Sequence, residues 1–285
     1  MDPRHHRPLD RRSQAAQFAL ALLLALAAAV ASGAPSLGSD ELEPAVREDL
    51  ARLAPQRPGV IDLYAVVVAG DGDEDVFRRE AHTVRRVLDE RLGTQGRSLA
   101  LINHRSAPKP EATLKSLELV LDAVAKRMDV GEDILFLHLT SHGASNHVLI
   151  LRHPATELYG VSPQHLRGVL DRSGIRHRVL VISGCYTGGF IPPLATIDTM
   201  ILTAANAQRE SYGCGNDSEI TEYSRALYLK ALPRTRSLRE AAGIAVQLIH
   251  EDERATKTKH SYPQIRSGYA IEERLIRFEK QFSGN

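Results

Sequence analysis

The chain has 285 residues, 43% hydrophobic and 25% charged, an ordinary globular balance for one large domain or two small ones. Its formal net charge is +1, with acids and bases mixed along the chain, so neither nucleic acid nor an anionic membrane surface finds an electrostatic footprint. Two cysteines, Cys185 and Cys214, are too few for a disulfide framework and lack the spacing of a structural zinc site.

The first residues are polar and basic, with Arg4, Arg7, Arg11 and Arg12. An uninterrupted apolar stretch follows over 18–31, and small polar residues run on to Asp40. Ala29-Val30-Ala31 has the small-x-small pattern of a cleavage site. The stretch falls short of the about 20 apolar residues that a membrane span needs. A signal peptide over 1–31 is therefore expected, with the folded part periplasmic or secreted. The alternative is an uncleaved anchor holding the domain outside the cytosol, the one route to membrane association. Residues 32–58 read as an N-terminal lead with a helix over 41–54, closed by Pro55 and Pro58. The domain proper is expected over 59–285.

From Ile61 the pattern is regular. Strands are predicted over 61–69, 98–103, 133–140, 147–152, 178–183 and 198–204, mostly as β-branched or apolar runs. Helices are predicted over 75–92, from Leu114 to Met128, from Pro163 onward, and over 218–231, 237–250 and 271–282. Ser237 and Glu240 have capping-box spacing. A last strand over 261–268 is an edge strand, because Pro263 is barred from a central one. Alternating strands and helices imply an α/β fold, a mostly parallel sheet with helices on both faces. Such sheets bind ligands beyond the carboxyl ends of their strands.

Those ends carry Gly70-Asp71-Gly72, Asn103-His104, Ser141-His142-Gly143, Gly184-Cys185 and Ala204-Ala205-Asn206. Two successive main strands thus end in His142 and Cys185. A thiol is mostly protonated at neutral pH, and a nearby imidazole can take its proton and return it to a leaving amine. Taken singly, a buried Cys is usually a small hydrophobe and a His after a strand an ordinary loop residue. Together, in an exported chain where a casual free thiol is disfavoured, they point to catalysis.

The sequences LFLHLTSHG, ending at Gly143, and VLVISGC, ending at Cys185, resemble the His-Gly and Xaa-Cys motifs of the legumain–caspase clan of cysteine peptidases. Thr203-Ala204-Ala205-Asn206 and Arg209-Glu210-Ser211-Tyr212-Gly213-Cys214 resemble legumain's segment past the fifth strand, and Tyr262-Pro263-Gln264 its bacterial branch. The resemblance implies a caspase-like three-layer sandwich. It also implies an endopeptidase that acts on peptides or proteins without a cofactor. It casts His142 as general acid–base, Cys185 as nucleophile forming a thioester, and the Gly143 and Cys185 N–H groups as the oxyanion hole. Arg78 falls where legumain places the arginine of its primary specificity pocket, and Ser211 where the wall of that pocket is built. Ser183 stands where legumain has an acid, and Glu222 lies near its second pocket acid. Val76 replaces a supporting Asn. Cleavage after Asp or Asn is the expectation that follows, with Asp favoured.

Two other functions fit the same resemblance: a transamidase or peptide ligase using the same pair, and a non-catalytic binding module of this fold. Asp71 to Asp75 resembles the start of a calcium loop but lacks the glycine and distal Glu of an EF-hand, and reads as a solvated helix start. His142 and His147 have no third ligand at metal-site spacing, so no metal is expected. His138 reads as a packed core residue and Cys214 as a wall residue.

Overall fold

Runs such as Leu63–Ala69 and Ile134–Thr140 have no polar face to turn to water, so they belong inside a sheet covered on both sides. The computed structural model, which describes residues 42–156 and 159–281, contains that sheet. The expected signal segment over 1–31 lies outside the described residues. In chain order the strands are β1 (Leu63–Ala69), β2 (Ser98–Ile102), β3 (Ile134–Thr140), β4 (Leu149–Leu151), β5 (Tyr159–Val161), β6 (His177–Ser183), β7 (Thr199–Thr203) and β8 (Gln264–Ser267). Six of them form one sheet in the order β2-β1-β3-β6-β7-β8. All neighbours are parallel except β8, which pairs antiparallel with β7 at the edge. Pro263 sits just before that edge strand, where its missing N–H breaks no ladder.

The helices are α1 (Pro44–Arg52), α2 (Asp75–Leu92), α3 (Leu114–Ala125), α4 (Pro163–Ser173), α5 (Ile191–Leu194), α6 (Glu222–Ser224), α7 (Leu238–Thr256) and α8 (Tyr269–Gln281). Successive strand residues point to opposite faces. Leu63, Ala65 and Val67 pack with α2, α7 and α8, whereas Tyr64, Val66 and Val68 pack with α1, α3 and α4. The result is a three-layer sandwich, mostly parallel at its centre. Leu42, Val46 and Leu53 are buried in the second of these cores, so the described part of the expected lead belongs to the folded unit.

Helix ends follow local chemistry. α2 stops at Gly93 and α4 at Gly174, whose φ values of 67° and 69° suit residues without a Cβ. Ser162, Thr113 and Ser237 cap α4, α3 and α7 with their hydroxyls. The capping box at Ser237 is half formed, because Glu240 accepts from Thr235 Oγ1 at 2.6 Å and not from the Ser237 N–H.

A helix expected from Ser218 begins only at Glu222. The preceding loop is held open by α2: the Asp75 N–H donates to Asn216 Oδ1, and Arg79 Nη2 to the carbonyls of Asn216 and Ser218. α6 then widens into a π-helix over Arg225–Ala231.

Candidate active site

The ladder between β3 and β6 pairs Thr140 with Ser183, and the Ser141 N–H donates to the Ser183 carbonyl at 3.1 Å. His142 and Cys185 each lie two residues past that pair, on strands about 4.8 Å apart. Both line one cleft of about 920 Å³ beyond the carboxyl ends of the strands. The strand ends meet backbone to backbone. A Cβ on Gly143 would stand 2.0 Å from the Cys185 carbonyl oxygen and 3.1 Å from its nitrogen, so only glycine fits. Neither the Gly143 nor the Cys185 N–H donates to a described residue.

Packing positions the His142 ring. It meets Phe77 edge-on, with centroids 5.1 Å apart and planes at 83°, and its main-chain carbonyl accepts from the Ile150 N–H at 2.9 Å. The Cys185 sulfur contacts the opposite wall: the Ser211 N–H donates to Sγ at 3.4 Å, and the Ser211 carbonyl and hydroxyl oxygens lie 3.7 and 3.9 Å from it. Among the described residues no hydrogen bond joins the thiol to the imidazole. The two groups line the cleft separately.

The turn after Cys185 is strained. Tyr186 has φ 59°, a left-handed conformation that a bulky residue rarely adopts. Its N–H donates to the Arg209 carbonyl at 2.7 Å, and its carbonyl accepts from Nδ1 of His147 at 3.0 Å. The His147 ring lies on Gly189, where a Cβ would stand 2.1 Å from its Cγ. His147 is thus a buttress of the turn that carries the thiol, a role that spacing alone did not reveal.

Ser183 lies beneath the cleft and not in it. Its hydroxyl is 3.1 Å from Thr221 Oγ1, and both residues are buried. The Thr221 N–H and the Ser224 hydroxyl donate to the Glu80 carboxylate at 3.0 and 2.7 Å. Nε2 of the fully buried His138 contacts the same carboxylate at 3.0 Å, and the Tyr228 hydroxyl sits 2.9 Å from its Nδ1. Burial pushes the Glu80 carboxyl up, but the bond and charge of His138 with the two further donors outweigh it, holding the group below the usual range. One visible sign of this network was a Glu on the apolar stripe of α2, between Phe77 and Val84.

Arg78 does not line the cleft. It is partly exposed on α2, with Nε itself buried, without a hydrogen-bond partner and 3.8 Å from Asp75 Oδ1. α2 starts at Asp75, so Phe77 takes the inward position against His142. The next residue is turned about 100° around the helix. Ser211, Cys214 and Glu222 do line it. The Glu222 N–H donates to the Tyr212 carbonyl at 3.1 Å, and a Cβ on Gly213 would lie 3.4 Å from Glu222 Oε1. Asp71 to Asp75 is a turn leading into α2, with Asp71 accepting from the Asp73 N–H at 2.9 Å.

A cysteine and a histidine at adjacent carboxyl ends of a parallel sheet, within a three-layer sandwich, define a caspase-like α/β protein. The chain belongs to the Peptidase C13 family, whose model matches residues 117–262, and is a legumain-like cysteine peptidase of the caspase clan. A solved structure described as "structure of pro-sf-caspase-1" shares the fold at a TM-score of 0.51 and 13% identity, over 73% of this chain and 91% of that one. No curated protein matches the chain. The family implies a peptide or protein substrate.

Proposed function

We propose that the chain is an endopeptidase in which Cys185 is the nucleophile and His142 the general acid–base. The sulfur attacks the scissile carbonyl, and His142 takes the thiol proton and delivers it to the departing amine. The resulting thioester is hydrolysed by water, which regenerates the thiol. The developing oxyanion lies against the Gly143 and Cys185 N–H groups. The observation that supports this reading is the β3–β6 register, which brings His142 and Cys185 to adjacent strand ends on one cleft, with the Gly143 and Cys185 N–H groups uncommitted. Cleavage after Asp or Asn, the preference that the resemblance implies, belongs to the same proposal, with Ser211 and Glu222 lining the cleft and Arg78 next to the Phe77 that meets His142.

The test is peptide hydrolysis by Cys185→Ala and His142→Ala variants that keep the wild-type melting temperature. Loss of turnover by at least about a thousandfold in each is expected. Retention of turnover by Cys185→Ala excludes the assignment. We also propose that the enzyme is exported, on the basic, apolar and small-x-small pattern of residues 1–31. N-terminal sequencing of the mature protein checks this, and a mature chain still starting at Met1 in the cytosol contradicts it.

A further inference from the structure

Six polar side chains meet in the core beneath the cleft, with Glu80 at their centre. Glu80, His138, Ser183, Thr221, Ser224 and Tyr228 are each at most 4% exposed. One carboxylate oxygen of Glu80 meets Nε2 of His138 at 3.0 Å and accepts from the Ser224 hydroxyl at 2.7 Å; the other accepts from the Thr221 N–H at 3.0 Å. The Tyr228 hydroxyl closes the far end on Nδ1 of His138, and the Ser183 hydroxyl lies 3.1 Å from Thr221 Oγ1 and 3.5 Å from Ser224 Oγ. Apolar residues of similar volume in place of such a buried cluster often leave a protein as stable or more so. What a fully hydrogen-bonded cluster adds is a fixed arrangement of the elements it joins.

The elements joined here are the ones that carry the reacting groups. His138 lies on β3, four residues before His142, and Ser183 ends β6, two residues before Cys185. Glu80 lies on α2, three residues after the Phe77 whose ring meets His142 edge-on, and residues three apart share a helix face. Thr221 precedes Glu222, whose N–H donates to the Tyr212 carbonyl at 3.1 Å; the adjacent Ser211 N–H donates to the Cys185 sulfur at 3.4 Å. A second feature is independent of these bonds. Tyr228 stands on the π-helical turn Arg225–Ala231. Such a turn is rare and occurs mostly as a local widening of a helix, frequently at functional sites. This one carries the tyrosine that meets His138, with ring centroids 5.4 Å apart.

We propose that Glu80 is a positioning residue of the active site. Its carboxylate sets the spacing between the strand end that carries His142, the strand end that carries Cys185 and the wall at Ser211, and it touches neither substrate nor thiol. This rests on Cys185 and His142 being the reacting pair. The place of the carboxylate, not its charge, is what acts. Withdrawn by one methylene, about 1.5 Å, it cannot meet His138 and Thr221 together. A misplacement of about 1 Å at reacting groups costs up to about a hundredfold in rate. An amide in the same place still accepts from the Thr221 N–H, and its NH2 group donates to His138 in that ring's other tautomer.

The experiment measures kcat and KM for the peptide that the wild type cleaves best, with active sites counted by iodoacetamide labelling of Cys185. Wild type, Glu80→Asp, Glu80→Gln, Leu121→Ala and Cys185→Ala are compared. Glu80→Asp should lower kcat by about tenfold or more, with KM within about threefold of wild type. Glu80→Gln should keep kcat within about threefold. Leu121→Ala opens a cavity in the core on the other face of the sheet; it should lower the melting temperature and leave kcat within about threefold. Wild-type kcat in Glu80→Asp overturns the proposal. So does a fall in Glu80→Gln as deep as in Glu80→Asp, which makes the charge the cause, or an equal fall in Leu121→Ala, which makes general softening the cause. Each of these leaves the nucleophile assignment standing while cleavage depends on Cys185. Cleavage surviving in Cys185→Ala removes that assignment and this proposal with it.

Discussion

Replacing Gly143 by Ala places a methyl carbon 2.0 Å from the Cys185 carbonyl oxygen and 2.9 Å from its carbonyl carbon. The atoms it meets are backbone, so no side chain can swing aside. The shortest contact is more than about 1 Å inside van der Waals range, and one strand end must move by a comparable distance. A displacement of that size at reacting groups costs about a hundredfold, and loss of one oxyanion donor about a hundred- to a thousandfold. A drop of about two to three decades in kcat is therefore expected, equivalent to about 3–4 kcal/mol in the transition state. Local overpacking should cost about 1–3 kcal/mol of stability, so the variant should still fold. Gly243→Ala on α7 is the control. Nothing lies within 4 Å of its Cβ position, so it should leave kcat alone and gain up to about 1 kcal/mol of helix stability. The assay is steady-state hydrolysis of a peptide that the wild type cleaves, with circular dichroism for fold. Gly143→Ala turnover within about twofold of wild type would refute the reasoning, because the crowded strand ends would then play no part in the chemistry.

Three further outcomes follow from the same structure. Glu80→Ala strands His138 and the Thr221 N–H in the core and should cost about 3–5 kcal/mol in urea denaturation. Because the folded Glu80 carboxyl is held below its usual range, its stabilisation is present above the ordinary Glu value of about 4.3. It is lost as pH falls below that. The gap between wild type and Glu80→Gln should accordingly shrink in acid, and a gap that widens there contradicts the assignment. His147→Ala removes the donor to the Tyr186 carbonyl and should lower kcat by about tenfold or more with little change in KM; a pure KM effect in stopped assays would place His147 in substrate binding instead. Burial and the neighbouring Cys185 push the Cys214 thiol up, so iodoacetamide at neutral pH should label Cys185 first, with Cys214 following only in alkali. Peptide mapping that shows Cys214 labelled first would count against this ordering.

Much of the fold was legible because single elements carry strong local cues. α2 spans Asp75–Leu92 as its apolar spacing and Gly93 predict, and the buried strands announce themselves as β-branched runs. The three-residue β5 was not legible, since Tyr159–Val161 is too short for a periodic pattern and exists only by pairing with β4. The late start of α6 was equally hidden, because tertiary bonds from Asp75 and Arg79 hold the loop before it. The adjacency of His142 and Cys185 could be read from strand ends alone. The pocket could not. The resemblance gives Arg78 as the pocket arginine and Ser211 as its wall, but the edge-on contact of Phe77 with His142, the orphaned hydroxyl of Tyr223 and the Glu80–His138 pair depend on contacts distant in sequence.

The most direct test is to trap the covalent intermediate. A good peptide substrate is mixed with the enzyme, quenched in acid within milliseconds to seconds, and the protein mapped by mass spectrometry. The account predicts a mass gain equal to the amino-terminal product fragment less one water, in thioester linkage, on the peptide containing Cys185 and absent from Cys185→Ala. Product accumulating with no adduct on Cys185, or with the adduct on Cys214, would contradict it.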